Sequence, residues 1–151
     1  MKTQILPTTK KLMFTIAWTG LLLSGLLLTG CGSSSSPVVP VTGQLKLEGG
    51  DAAPLTGHMI EVTKADDNLV RSYGEIKPDG NFELESLIEG KMLKGVQPGK
   101  YHARIVLGDD DPQQRQLARA AIHPRYLKFN SSGLSFDAPA TGPVQLQVSR
   151  R

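Results

Sequence analysis

Gln97-Pro98-Gly99 followed by Lys100-Tyr101-His102-Ala103-Arg104-Ile105-Val106-Leu107 decides the fold. Pro98 and Gly99 make a turn. After them Tyr101, Ala103, Ile105 and Leu107 fall on one side, and His102, Arg104 and Val106 on the other. Successive side chains of a strand point to opposite faces, so this alternation describes a strand with one face on a core. Its regularity predicts a central position.

The same period extends outward in both directions. Val41 to Leu47 puts Val41, Gly43, Leu45 and Leu47 on one face. His58 to Thr63 sets His58, Ile60 and Val62 against Met59, Glu61 and Thr63. Asp66-Asp67-Asn68 turns the chain, and Leu69 to Ile76 and Asn81 to Leu84 flank Lys77-Pro78-Asp79-Gly80. There proline presets φ and Asp-Gly tolerates a positive φ, which predicts a hairpin. Gly133 to Asp137 is a further short strand, and Val144 to Val148 closes the domain with Val144, Leu146 and Val148 inward. Gly49 to Gly57 has turn chemistry without periodicity. Short alternating runs punctuated by turns predict an all-β antiparallel sandwich rather than a helical bundle. No internal repeat is visible.

One excursion interrupts the strands. Asp109-Asp110-Asp111-Pro112 opens a polar stretch in which Gln113 to Ala121 reads as about two helical turns, with Asp111 as N-cap and Pro112 at the first helical position. His123-Pro124-Arg125-Tyr126 ends it.

Several of these segments together resemble the transthyretin-like, carboxypeptidase regulatory-like domains of secreted bacterial lipoproteins. The likeness rests on Val41-Thr42-Gly43, Pro78-Asp79-Gly80-Asn81-Phe82, Gly95-Val96-Gln97-Pro98-Gly99-Lys100-Tyr101, the Ile122 to Tyr126 stretch and the alternating last strand. It implies a prealbumin-like β-sandwich of about seven strands over 41–151. The family's usual Gly-X-Pro-Leu stands here as Ala52-Ala53-Pro54-Leu55, without the glycine. The family is defined by fold and has no common catalytic residues, so the resemblance implies none here.

The amino terminus has a different composition. Met1 to Lys11 carries three lysines and no acid, and Leu12 to Leu28 is an uncharged, mostly apolar run. This is the layout of an export signal, although its length alone also suits an uncleaved anchor. Leu28-Thr29-Gly30-Cys31 resembles the lipobox of bacterial lipoproteins. That resemblance implies a signal peptide over 1–30, recognition of Leu28, Thr29 and Gly30 by the peptidase, cleavage after Gly30, and lipidation of Cys31. Several acyl chains hold a protein durably at a bilayer where one holds it reversibly. Gly32 stands where many inner-membrane lipoproteins carry aspartate, which favours the outer membrane in a two-membrane host. Residues 31–40, with Ser33 to Ser36 and then Pro37 and Pro40, read as a lipidated tether that is flexible and then extended.

Charge and cysteine content restrict the function classes. The net charge of +3 belongs to the leader, because removing its three lysines leaves 14 basic against 14 acidic side chains. A balanced domain lacks the net basic face that phosphate backbones require, so no nucleic-acid partner is expected. Cys31 is the single cysteine, so no intrachain disulfide forms and stability rests on packing.

Candidate chemistry is sparse. Asp109-Asp110-Asp111 departs from calcium-loop spacing and reads as a solvated loop with a helix cap. His58, His102 and His123 have no spacing that makes a metal site, so no metal and no cofactor is expected. Gly-X-Ser-X-Gly is absent and the only thiol is assigned to lipid, so no catalytic residue is assigned and no enzyme is expected. Of Tyr73, Tyr101, Tyr126, Phe82, Phe129 and Phe136 most read as core by default, and Tyr101 and Phe82 alternate with polar neighbours as core residues do. Tyr126 and Phe129, in the loop-rich stretch, are the candidates for an exposed sugar or peptide platform. The expected function is a lipid-anchored, non-enzymatic cell-envelope protein whose β-sandwich acts as a structural or protein-interaction module, with an envelope protein or glycan as partner. The alternative is a small-ligand or carbohydrate-binding module. Sheet edges and the 108–133 segment are the expected contact surfaces.

Overall fold

The computed structural model describes residues 38–151; the expectations for the leader, for Leu28, Thr29, Gly30 and Cys31, and for the serine segment lie outside the described residues. Nine strands form two sheets. They are β1 (Thr42–Leu47), β2 (Met59–Lys64), β3 (Arg71–Glu75), β4 (Asn81–Glu83), β5 (Glu85–Ile88), β6 (Lys91–Lys94), β7 (Gly99–Val106), β8 (Leu134–Ala138) and β9 (Val144–Val148). The sheet orders are β4-β1-β9 and β6-β5-β3-β2-β7-β8. The all-β expectation holds, and β7 is an interior strand as its alternation requires.

The alternation also assigns the inner faces correctly. Leu45, Leu47, Phe82, Val144, Leu146 and Val148 of the smaller sheet are buried, as are Ile60, Val62, Tyr101, Ala103, Ile105 and Phe136 of the larger. Tyr101 and Phe136 are cross-strand partners whose rings stack at 5.4 Å. The Tyr101 hydroxyl donates to the Gln97 carbonyl at 2.9 Å, which ties the start of β7 to the turn before it.

Four expectations need correction. The strands number nine rather than about seven, because residues 85–94 form a hairpin, β5 with β6. Its turn, Glu89-Gly90, has positive φ at both positions (51° and 77°), matching the right-handed twist of the flanking strands. Leu87 and Met92 face the exposed side of this hairpin, so its apolar residues show no one-sided pattern.

The turn at Pro78-Asp79-Gly80 is made, but it is a corner rather than a hairpin. Lys77 N–H donates to Asn81 O at 2.9 Å and Gly80 N–H to Lys77 O at 2.8 Å, yet β3 pairs with β2 and β5 while β4 pairs with β1. Local turn chemistry is the same in both cases, and only the distant partner differs. Gly80 has φ +78°, and a Cβ there would stand 2.4 Å from the Leu45 carbonyl oxygen, so the corner sits tight against β1.

The sandwich is also not wholly antiparallel, since β1 and β9 pair in parallel. Finally, packing starts before Val41 and inside the segment read as tether. Val38 is buried, and Val39 bridges Val96 antiparallel with hydrogen bonds of 2.7 and 2.9 Å.

The predicted helix is present as α1 (Pro112–Ala121), with the Asp111 carboxylate accepting from Gln113 N–H at 2.9 Å and Gln114 N–H at 3.0 Å. Ala118 and Ile122 are buried beneath it, and Gln114 reaches the Pro54 carbonyl on a 3-10 turn, Ala53–Leu55. A second 3-10 turn, Pro124–Leu127, and the four-residue α2 (Phe129–Ser132) lead into β8.

The corner supplies a pH dependence. Asp79 is held below its ordinary value, first by the Asn81 backbone N–H that its carboxylate accepts at 3.0 Å. A lowered carboxylate contributes stability above its unfolded value, about pH 4, and loses it as pH falls through the folded one. Thermal unfolding followed from pH 5 to pH 2 should therefore show a shallower acid decline in Asp79→Ala than in the unaltered protein.

Candidate functional site

The register of the larger sheet gathers the chemistry. On the outer face Glu61 of β2 stands opposite Tyr73 of β3 on one side and Arg104 of β7 on the other. Glu61 is only 2 % exposed. Its Oε2 accepts from Arg104 Nε at 2.6 Å and Nη2 at 2.5 Å, and its Oε1 accepts from Arg71 Nη1 at 2.8 Å and Tyr73 OH at 3.3 Å. The alternation puts Glu61 on the side opposite Ile60 and Val62, as the structure has it, and partners on both sides bury it. Thr63 is buried on the same face, with its hydroxyl near the Asn68 and Val70 carbonyls.

Phe129 closes this network from above. Its ring centroid lies 4.8 Å from the Arg104 guanidinium carbon and 5.9 Å from that of Arg71, a cation–π arrangement over a buried carboxylate and its partly exposed arginines. Ser132 fixes α2 there by donating to the Ala103 carbonyl at 2.6 Å. The carboxylate is fully engaged as an acceptor, so it holds two cations rather than acting as a base. The cluster carries two guanidinium charges against one carboxylate.

Arg104 has a second aspect. With Arg115 and Arg119 of α1 it lines a cleft of about 230 Å³ whose apolar wall includes Val106, Leu107 and Leu127. Arg115 and Arg119 are four apart and share a helix face. Arg115 pairs with Asp109, whereas Arg119 makes no ion pair among the described residues. The cleft can hold an anion.

The two aromatic candidates separate. Tyr126 is 2 % exposed, which corrects the expectation that it is available as a platform. His123 Nδ1 accepts from Arg125 N–H, folding the 3-10 turn so that Tyr126 reaches the end of β9. Its hydroxyl accepts from Ser149 N–H at 3.0 Å and from Arg125, and shares a 3.1 Å bond with Ser149 Oγ. Burial works to raise this phenol, but the bonds from Ser149 and Arg125 and the Arg125 charge outweigh it and hold it below its ordinary value. Phe129 is half-buried and occupied by the two arginines.

The histidines do not converge. His58 is buried with Nδ1 accepting from Gly108 N–H at 3.1 Å, which places its proton on Nε2. His102 is exposed, and His123 caps its turn. Among the described residues no three histidine, cysteine or acidic side chains assemble as metal ligands. Asp109 and Asp111 serve an ion pair and the helix cap.

No known family model matches the chain, and no similar protein was found among curated proteins or solved structures.

Breaking a buried ion pair by removing one partner costs about 3 to 5 kcal/mol, and the partial exposure of both arginines places this site at the lower end. Glu61→Gln should therefore lower unfolding stability by about 3 kcal/mol. Tyr73→Phe, which loses one long bond on a half-exposed ring, should cost under about 1 kcal/mol. Urea unfolding midpoints read both, and equal losses would show that the carboxylate charge is not what holds the cluster.

Proposed function

We propose that the chain is exported, cut after Gly30 and held to a membrane by lipid on Cys31, and that it displays a non-enzymatic β-sandwich as a structural or protein-interaction module of the cell envelope. The observation that carries this reading is the short interval between anchor and fold. The lipobox cysteine precedes Val38, the first buried residue described, by seven positions. Extended chain covers at most about 25 Å in that interval. Gly32 in place of aspartate supports outer-membrane delivery where the host has two membranes.

A prealbumin-like, carboxypeptidase regulatory-like assignment of the sandwich belongs to the same proposal. It is supported by two facing sheets with the family-like turn segments at their junctions. Pro78–Gly80 is a corner between sheets, and Gly95-Val96 contacts both Leu84 and Val39.

The strand β7 orients the module. The chain enters beside Val96, just ahead of β7, and the 108–133 excursion leaves beyond its far end. Eight residues of strand span about 26 Å. The excursion, with α1 and the arginine cleft, thus lies at the opposite end of β7 from Val39.

Acyl labelling of the full chain tests the anchoring. The unaltered protein should take up label and lose its leader. Cys31→Ser should remain unlabelled and uncut while unfolding at the same urea midpoint. Label on the Cys31→Ser protein would overturn the anchor.

The arginine cleft favours a second reading, a small-ligand or carbohydrate-binding module whose ligand is anionic. It relies on Arg104, Arg115 and Arg119 rather than on Tyr126. A glycan array should then return carboxylated or sulfated sugars, lost in Arg119→Glu. Retention of only neutral sugars, or none, rejects it.

A further inference from the structure

Five large apolar side chains stand well exposed among the described residues: Leu69, Tyr73, Leu87, Met92 and Leu117. Four of them share one surface. Leu87 and Met92 are cross-strand partners on the outer face of the β5–β6 hairpin, and Tyr73 is opposite Glu85 on the neighbouring strand. Leu69, Tyr73 and Leu87 line a cleft of about 460 Å³ together with Ile88 and Gln97. Tyr73 and Met92 line the adjoining hollow of about 300 Å³, so the patch is continuous through the tyrosine ring.

Val39 pairs antiparallel with Val96, so tracing backwards from Val39 the chain runs toward Gln97, which is itself in the wall of the larger cleft. A lipid on Cys31 is within about 25 Å of Val38 along the chain. A bilayer that holds that lipid is therefore close to the domain.

We propose that Leu69, Tyr73, Leu87 and Met92 rest in the interface of the bilayer that holds the Cys31 lipid, so that the domain lies with its β5–β6 edge on the membrane. This rests on the lipid anchoring proposed above. The composition suits a bilayer interface: two leucines and a methionine supply apolar contact, and a tyrosine has an apolar ring and a polar tip. The surrounding charges are mixed, with Arg71, Lys91 and Lys94 against Glu85 and Glu89. The contact is therefore apolar rather than electrostatic, and anionic lipid is not required.

The test uses the full chain after processing, in which acylated Cys31 leaves no free thiol. Leu87→Cys, Met92→Cys and, on the opposite sheet, the exposed Gln147→Cys are each labelled with a polarity-sensitive fluorophore and reconstituted in phosphatidylcholine vesicles. Positions 87 and 92 should show a blue shift, a several-fold rise in emission and quenching by nitroxide-labelled lipid, all unchanged by added salt. Position 147 should remain in water. Two exposed positions are used so that a folding defect in one leaves the other informative. Equal, water-like spectra at 87, 92 and 147 in protein that floats with the vesicles overturn the membrane contact and leave the anchor standing. Protein that lacks acyl mass and does not float overturns both. A blue shift without lipid quenching, accompanied by self-quenching between copies, assigns the patch to a second copy of the chain and overturns the bilayer contact.

Discussion

The ion cluster centred on Glu61 is the constraint on which the larger sheet depends. β2 is buried on both faces, by Ile60 and Val62 inside and by Glu61 and Thr63 outside. A one-residue slip of its pairing would send the isoleucine and valine to the outer face and drive a carboxylate into the core. Arg104 and Arg71 reach Glu61 from the strands on either side, so one side chain pins the register of three strands at once. Buried ion pairs contribute little net stability, because desolvation offsets most of the attraction. Here the contribution is to specificity of pairing, and the penalty falls on every alternative register.

The two sheets are knitted together where the chain passes between them. Leu84, fully buried, donates its N–H to the Val41 carbonyl and accepts at its own carbonyl from Gly95 N–H, linking β4, the entry segment and the end of β6. Beneath it Ser72 and Ser86 share a 2.6 Å bond, and the Ser86 hydroxyl donates to Gly95 O. With that proton committed, Ser72 must donate to Ser86, and each hydroxyl in the buried pair is satisfied. This polar seam lies within the larger sheet, tying β3 to β5 and to the end of β6.

What was legible in the sequence follows from how local each signal is. The alternation of Tyr101, Ala103 and Ile105, and of Val144, Leu146 and Val148, identified inner faces because one side of each strand is dry and the other wet. Asp111-Pro112 identified the helix start because its bonds are made within three residues. The β5–β6 hairpin was invisible for the opposite reason, since Leu87 and Met92 are apolar and exposed, and Ser86 is polar and buried. The corner at Pro78–Gly80 and the parallel β1–β9 pair depend on partners far along the chain. Glu61 and Arg104 are 43 residues apart and meet only through register, and Tyr126 is drawn inward by Ser149, 23 residues later. Opposite charges at outward positions of neighbouring strands were the one available hint of the Glu61 cluster, and that hint becomes readable only once β2 and β7 are known to be adjacent.

The cluster also joins the arginine cleft to the apolar patch. From the arginine cleft the path runs through Arg104 to Glu61, then to Arg71 and Tyr73, and Tyr73 is itself part of the apolar patch. Contiguity of this kind suggests communication, but communication needs an element with two arrangements. Every acceptor site on Glu61 is filled and Phe129 stacks on the Arg104 guanidinium, so Glu61 and Arg104 are held from several directions, with Arg71 half-exposed at the edge of the network. It acts as a strut. A ligand in the cleft would meet a surface whose position relative to the patch is fixed.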